Sequence, residues 1–226
     1  MSSAFRINKF PQRHDQSVLA PLLEVETATL GHYLDSAITD PAVRLIGPKR
    51  RIAGTAVTVS IPGSDSSLLY YAMDKLQPGD VLVIDRGGDR KNACWGGFMA
   101  VAAASKKLAG VIIDGMATDP AEIIEAGVPT WSRGISATTT KLLMQGGSLN
   151  APIVVGDIVV SPGDVILADD CGVISLPFTD MMDLGKRALA DQAEERVALD
   201  KIRSGESLVS LAGLDLSAFE ADYPIV

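Results

Sequence analysis

Residues 98–120 read FMAVAAASKKLAGVIIDGMATDP, and the changes of pattern within that stretch decide the fold class. Residues 98–110 are rich in alanine, carry two lysines in the last turn and stop at a glycine, which predicts a packed helix whose basic end complements its dipole. The branched apolar run at 111–113 breaks at Asp114-Gly115, as a buried strand does at its exit. Asp119-Pro120-Ala121-Glu122 then satisfies the rules for a helix start, with an acidic cap, proline first and glutamate third. A strand between two helices over so short a span points to an α/β chain with parallel pairing under helical cover, its strand carboxyl ends gathered on one side.

Upstream, QPGDVLVIDRGGD gives a Pro-Gly turn, an apolar strand at 81–84 and an acidic exit at Asp85, and IAGTAVTVSI at 52–61 alternates as a half-buried strand. SDSSLLYYAMDKL reads as a short helix with Ser/Asp caps, and TATLGHYLDSA at 27–37 as another. The second half changes character. After a strand in PTWSRGI come IVV, DIVV, DVILAD and GVISL, too tightly spaced for helices between them, so hairpins or a meander are expected. QPGDVLVIDRGG at 77–88 returns as SPGDVILADDCG at 161–172, one turn and strand used twice. A long charged helix is expected over about 180–203, with Met182, Leu189, Ala193 and Val197 at helical spacing.

The 226 residues are 47% hydrophobic and 21% charged with a formal charge of −8, which suits a folded core and disfavours a nucleic-acid partner. The start lacks an apolar leader segment, and no run approaches the ~18 apolar residues a membrane span needs, so a cytoplasmic protein with no membrane partner is expected. Cys94 and Cys171 are read as free thiols. Two histidines, His14 and His32, rule out a multi-histidine metal centre, so a metal here would rely on oxygen ligands.

Two loops, RGGDRKNACWGGFM and DGMATD, are expected to share the crevice at the strand ends. Gly96 and Gly97 stand at a helix start whose unpaired amides would seat an anion. Asp119 is either the cap of its own helix or a carboxylate facing that anion, and in the second case a divalent cation between them is the simplest inference. Trp95 is read as a packing residue, Cys94 as a small buried apolar side chain, and Asp85 and Asp89 as loop carboxylates or orienters of metal-bound water. Arg86, Arg90, Arg133 and Lys141 lie on segments that could reach the crevice.

GGDRKNACWGGFMAVAAASKKLAGVIIDGMATD resembles the signature of the RraA-like superfamily, and IAGTAVTV, PGDVLVID, PTWSRGIS and VVSPGDVILADDCGVISLP extend the likeness. Its enzymes include metal-dependent 4-hydroxy-4-methyl-2-oxoglutarate aldolases that also decarboxylate oxaloacetate. The resemblance implies a single domain over 1–226 with an αββα sandwich of mixed sheets, an N-terminal arm over 1–14, and a homotrimer or hexamer with sites at subunit boundaries. It implies Mg²⁺ or Mn²⁺ on Asp119, and substrate binding by the backbone of Gly96, Gly97, Phe98 and Met99. The family motif Asp-Gly-x-x-Arg-Asp maps onto Asp114, Gly115, Met116, Ala117, Thr118 and Asp119, so its arginine is Thr118 here. The acid of the glycine segment is Gly97, and a helper acid from a neighbouring subunit falls at His32. Lys141 lies near a position that is often basic. These departures matter because carbon–carbon cleavage builds negative charge that fixed positive groups must meet, and losing one such group typically slows the reaction by ~10²- to 10³-fold. The expected function is a divalent-metal-dependent lyase acting on a small 2-oxo or hydroxy acid with altered specificity, Asp119, Lys141 and His32 being catalytic candidates. The alternative is a non-catalytic regulator that binds another protein.

Overall fold

The computed structural model describes residues 4–217; the ends of the arm expected over 1–14 and of the domain expected over 1–226, residues 1–3 and 218–226, lie outside the described residues. Twelve strands follow in chain order: β1 (Phe5–Ile7), β2 (Arg44–Ile46), β3 (Ile52–Ser60), β4 (Asp80–Asp85), β5 (Ala93–Trp95), β6 (Gly110–Ala117), β7 (Thr130–Ile135), β8 (Gly147–Leu149), β9 (Ile153–Val155), β10 (Ile158–Val160), β11 (Val165–Ala168) and β12 (Val173–Leu176). The α-helices are α1 (Gln16–Leu19), α2 (Thr27–Leu30), α3 (Ser67–Lys75), α4 (Gly97–Lys106), α5 (Pro120–Ala126), α6 (Phe178–Arg203) and α7 (Leu208–Ala212). Among the described residues no helix is long and apolar enough to cross a membrane.

The large sheet runs β1-β8-β3-β4-β6-β7-β2, with β5 also on β6 and β11 also on β3. The pairs β3–β4, β4–β6 and β6–β7 are parallel, as the alternating first half requires, whereas β8, β11 and β2 join antiparallel. The close-set runs of the second half are hairpins: β9–β10 turns at Gly156-Asp157, both at positive φ as a two-residue hairpin demands.

Three apolar seams make four layers, α over β over β over α. The first lies between α3, α4, α5 and one face of the central strands, through Val57, Leu69, Ile84, Ala100, Ile113 and Ile123. The second holds Val83, Ile112 and Trp131 from the opposite face against Val155, Ile158 and Ile166. The third packs Val165, Leu167 and Ile174 under Leu22, Leu30, Met181 and Ala188. Period-two alternation divides β6 between seams, Ile113 going one way and Ile112 the other. Each fully buried Leu or Ile contributes about 1.5–3 kcal/mol relative to exposure.

The repeated turn lies on both flanks of β3. β4 pairs with it on one side and β11 on the other, and in each copy the aspartate after the Pro-Gly accepts from the amide three residues back: Asp80 from Gln77 at 2.9 Å, Asp164 from Ser161 at 2.8 Å. The arm reaches both. Arg13 pairs with Asp80 at 2.8 Å, while the His14 ring meets the Gly163 carbonyl at 2.9 Å and stacks on Phe178.

Three boundaries differ from expectation. The helix expected at 27–37 stops at Leu30, because the chain turns at Gly31 and Tyr33 bonds sideways to Asp191 of α6. Gly110 does not stop α4; Lys107 does, in the left-handed conformation, and Gly110 opens β6 where a Cβ would lie 2.3 Å from Ile52. The long helix begins at Phe178 rather than 180, after Pro177.

Candidate active site

Strand β6 ends where Thr118 donates its amide to the Trp95 carbonyl at 2.8 Å, which fixes the two loops side by side as expected. Asp119 follows in the left-handed conformation, φ 50 and ψ 55, and its carboxylate makes no cap bond to its own helix α5. Asp is among the few residues that tolerate this backbone, at a cost on the order of 1–3 kcal/mol. The turn sends the side chain to α4 instead: one carboxylate oxygen accepts the Gly97 amide at 3.2 Å, the other the Thr118 hydroxyl at 3.1 Å.

This corrects two expectations. Asp119 does not cap its own helix, although Pro120 and Glu122 suit a helix start. Nor does it face the α4 amides across a gap, because it occupies the seat at Gly97 itself. The amides of Phe98 and Met99, the next two in α4, have no acceptor within the helix by position. Both glycines are there for approach. A Cβ on Gly96 would lie 2.6 Å from the Asp119 carboxylate, and one on Gly97 would lie 2.6 Å from the Glu122 Cβ.

Gly96, Phe98, Met99, Thr118, Asp119 and Lys141 line one cavity of about 230 Å³. Gly97 lines the neighbouring, more open one with Asp119 and Glu122. The Lys141 backbone exchanges bonds with Ser64 and Ser66, its amide donating at 2.7 Å and its carbonyl accepting at 2.9 Å. Asp65 clamps the following residues, accepting from Ser67, Leu143 and Gln145. Burial pushes the Asp65 carboxyl upward, yet the Ser67 hydroxyl and these amides outweigh it and hold the group well below the usual carboxylate range. The sequence shows only Ser and Asp before a helix there; the tie to Lys141 spans more than 70 residues.

The structure separates several candidates from the site. His32 is exposed at the end of α2 and does not line the cavity. Asp114 does not share a crevice with Asp119. It accepts from Gly156 at 2.9 Å, from Arg90 at 2.7 Å and from Arg133, which also pairs with Asp40. Burial works against the Asp114 charge, but these partners lower its pKa. Arg86 is buried against the Ile61 and Gly63 carbonyls and Asp89. None of the three arginines lines the Asp119 cavity, and among the described residues lining it Lys141 is the one cation.

Asp89 accepts from Lys91 and Asn92, and Asp85 from Gly87 and Ser60, so both order their loops. Trp95 is buried, and burial raises the Cys94 thiol to about 11, as a packing residue and an inert small side chain should behave. Among the described residues no group of three or more His, Cys, Asp or Glu could hold a metal. The donors at hand are the Asp119 carboxylate and the Thr118 hydroxyl, hard oxygens that match a hydrated Mg²⁺ held by a single carboxylate.

The 4-hydroxy-4-methyl-2-oxoglutarate aldolase of Thermus thermophilus is 31% identical over 157 residues, covering 69% of this chain and 94% of that protein. An uncharacterized protein from Pseudomonas syringae superposes with a TM-score of 0.75 at 28% identity, covering 88% of this chain and 98% of that one. The RNA-processing inhibitor RraA from Thermus thermophilis superposes at 0.62 with 26% identity, covering 68% and 93%. The RraA-like family model, described as Aldolase/RraA, matches residues 22–175, more than half of the chain, a span that holds β2 to β11, the glycine turn and Asp119: the chain belongs to the RraA-like family.

Proposed function

We propose that the chain is a divalent-metal-dependent lyase that cleaves or decarboxylates a small 2-oxo or hydroxy acid. The observation that supports this most directly is the left-handed Asp119, whose carboxylate leaves its own helix for the glycine turn beside Lys141. A residue kept only as a cap would take extended backbone and bond its own helix.

Asp119 is the residue to hold Mg²⁺ or Mn²⁺, with Thr118 adjacent. A divalent ion bound there supplies Lewis-acid stabilisation of charge at the 2-oxo oxygen. The Phe98 and Met99 amides seat the substrate carboxylate. Breaking the carbon–carbon bond leaves its electron pair on the 2-oxo fragment as an enolate and releases the other fragment either as CO2 or as a carbonyl compound whose hydroxyl has given up its proton; a proton is then delivered to the enolate carbon. Lys141 supplies part of the positive charge that an arginine at 118 would bring, as a point charge without the planar fork. His32 is the proton-transfer candidate; because it lies away from the cavity within one chain, it serves a neighbouring copy in a homotrimer or hexamer.

Purified protein with Mg²⁺ is expected to release pyruvate slowly from oxaloacetate or 4-hydroxy-4-methyl-2-oxoglutarate, read through coupled lactate dehydrogenase. Release no faster than the metal-only blank sinks the pyruvate version. A non-catalytic regulator is the second reading, favoured by the likeness to the solved RNA-processing inhibitor and by Thr118 standing where the motif has arginine. Calorimetry separates them: Mg²⁺ heat abolished by Asp119→Ala fits the enzyme, and no heat from the unaltered chain fits the regulator.

A further inference from the structure

We propose that Asp65 is a positioning residue of the lyase that acts through Lys141: it fixes the strap of chain at 136–145, which carries Lys141 to the cavity of Asp119. This rests on the lyase reading and adds a residue to its machinery.

The strap leaves β7 and belongs to no helix or strand. Its first half is pinned to the end of β6 and the start of β5: the Ser136 amide donates to the Ala117 carbonyl at 2.8 Å, the Ala93 amide to the Thr138 carbonyl at 2.7 Å, and the Thr140 amide to the Ala93 carbonyl at 3.0 Å. Thr139, Thr140 and Lys141 then line the cavity together with Ser66, Thr118 and Asp119. Past Lys141 the acceptors are Asp65 and Ser67. The Leu143 amide donates to one Asp65 carboxylate oxygen at 3.0 Å, the Gln145 amide to the other at 2.7 Å, and the Met144 amide to the Ser67 hydroxyl at 3.0 Å. That hydroxyl donates in turn to Asp65 at 2.6 Å. Met144 is left-handed, φ 55, a backbone that persists only where its surroundings over-determine it.

Asp65 is 1% exposed, and the partners of its two oxygens are the amide and hydroxyl of Ser67 and the two strap amides. Burying a carboxylate on neutral donors is costly, more than an exposed strap needs for its own sake. The same burial keeps Asp65 out of reach of a neighbouring copy, so the tie holds whatever groups another subunit adds to the site. Its footing is rigid as well, because α3 follows at once and buries Leu68, Leu69 and Ala72 in the first seam. Lys141 thus rides on the core. A positive charge meant for a developing enolate helps only when it is already in place, and a displacement of ~1 Å costs about 10²-fold.

In Asp65→Asn the side chain keeps its shape and one acceptor oxygen but turns an amino group toward the strap amides. The variant is expected to speed amide hydrogen exchange in the peptide spanning 141–147, read by mass spectrometry, and to lower kcat for pyruvate release from oxaloacetate with Mg²⁺ by roughly tenfold or more while KM moves less than about threefold. Lys141→Gln should lower kcat by a similar factor, and Asp65→Asn added to it should cost less than about threefold more, because both changes remove one effect. Ser67→Ala cuts the same clamp at lower risk to folding, and the same comparisons apply to it with a smaller loss. Unchanged exchange, or faster exchange with kcat within about twofold of the unaltered chain, overturns the inference and leaves the lyase reading standing. So does an Asp65→Asn loss that persists in full beside Lys141→Gln, since it would then reach the chemistry without the lysine. No pyruvate from the unaltered chain above the metal-only blank overturns the inference together with the pyruvate version of that reading.

Discussion

Gly97 and Glu122 meet at the point where α4 and α5 begin, so close that a Cβ on Gly97 would stand 2.6 Å from the Glu122 Cβ. Two helix starts are thereby brought together, and the carboxylate of Asp119 reaches the amide of Gly97.

Gly97→Ala tests this contact against ordinary expectation. Alanine inside a helix is normally worth about 0.5–1 kcal/mol over glycine. Here overpacking should reverse the sign and cost about 1–3 kcal/mol. Urea unfolding gives the answer, and a stability gain would show that α5 moves aside freely.

Asp119→Asn should separate stability from metal binding. Asparagine tolerates the left-handed backbone and still offers an oxygen to Gly97, so the urea midpoint should shift by less than about 0.5 kcal/mol equivalent. The Mg²⁺ heat should nonetheless vanish, since the anionic ligand is gone. Retained heat would place the ion elsewhere.

Arg133→Ala and Arg90→Ala should differ sharply although both partners belong to Asp114. The Arg133 side chain is 8% exposed and its loss leaves a buried carboxylate short of a partner, at about 3–5 kcal/mol. Arg90 is 46% exposed, and its loss should cost no more than about 1 kcal/mol. Equal effects in chemical denaturation would contradict the arrangement around Asp114.

Asp65 and Asp114 both have folded-state pKa values below the ordinary one. Their contribution to stability is therefore present above the unfolded carboxylate pKa of ~3.9 and is lost as pH falls below it toward the folded values. Urea midpoints should be level between about pH 5 and 8 and fall below about pH 4. Asp65→Asn should lower the midpoint at neutral pH and flatten the acid limb; an unchanged limb would remove Asp65 from the account.

Much of the fold was legible because apolar runs are local. The runs at 81–84 and 111–113 lie within β4 and β6, and the tight spacing after residue 150 did yield hairpins. The glycine turn and Asp119 were legible as neighbours through strand order alone. What the sequence did not reveal was direction. Asp119 carries every mark of a cap, and only its positive φ turns the carboxylate to another helix. Asp114 shares strand parity with Ile112, which sends it to the opposite face from Ile113, so grouping it with Asp119 overlooked the alternation. The arginines were misplaced for a different reason: Arg133 meets Asp40 across 93 positions, and no local pattern encodes such a pair.

The arm's hold on both Pro-Gly turns also orders events during synthesis. Arg13 can find Asp80 early, but His14 has no Gly163 carbonyl and no Phe178 ring until nearly four fifths of the polypeptide has left the ribosome. The arm therefore closes onto both copies of the turn only when β4 and the segment from Gly163 to Phe178 are both in place.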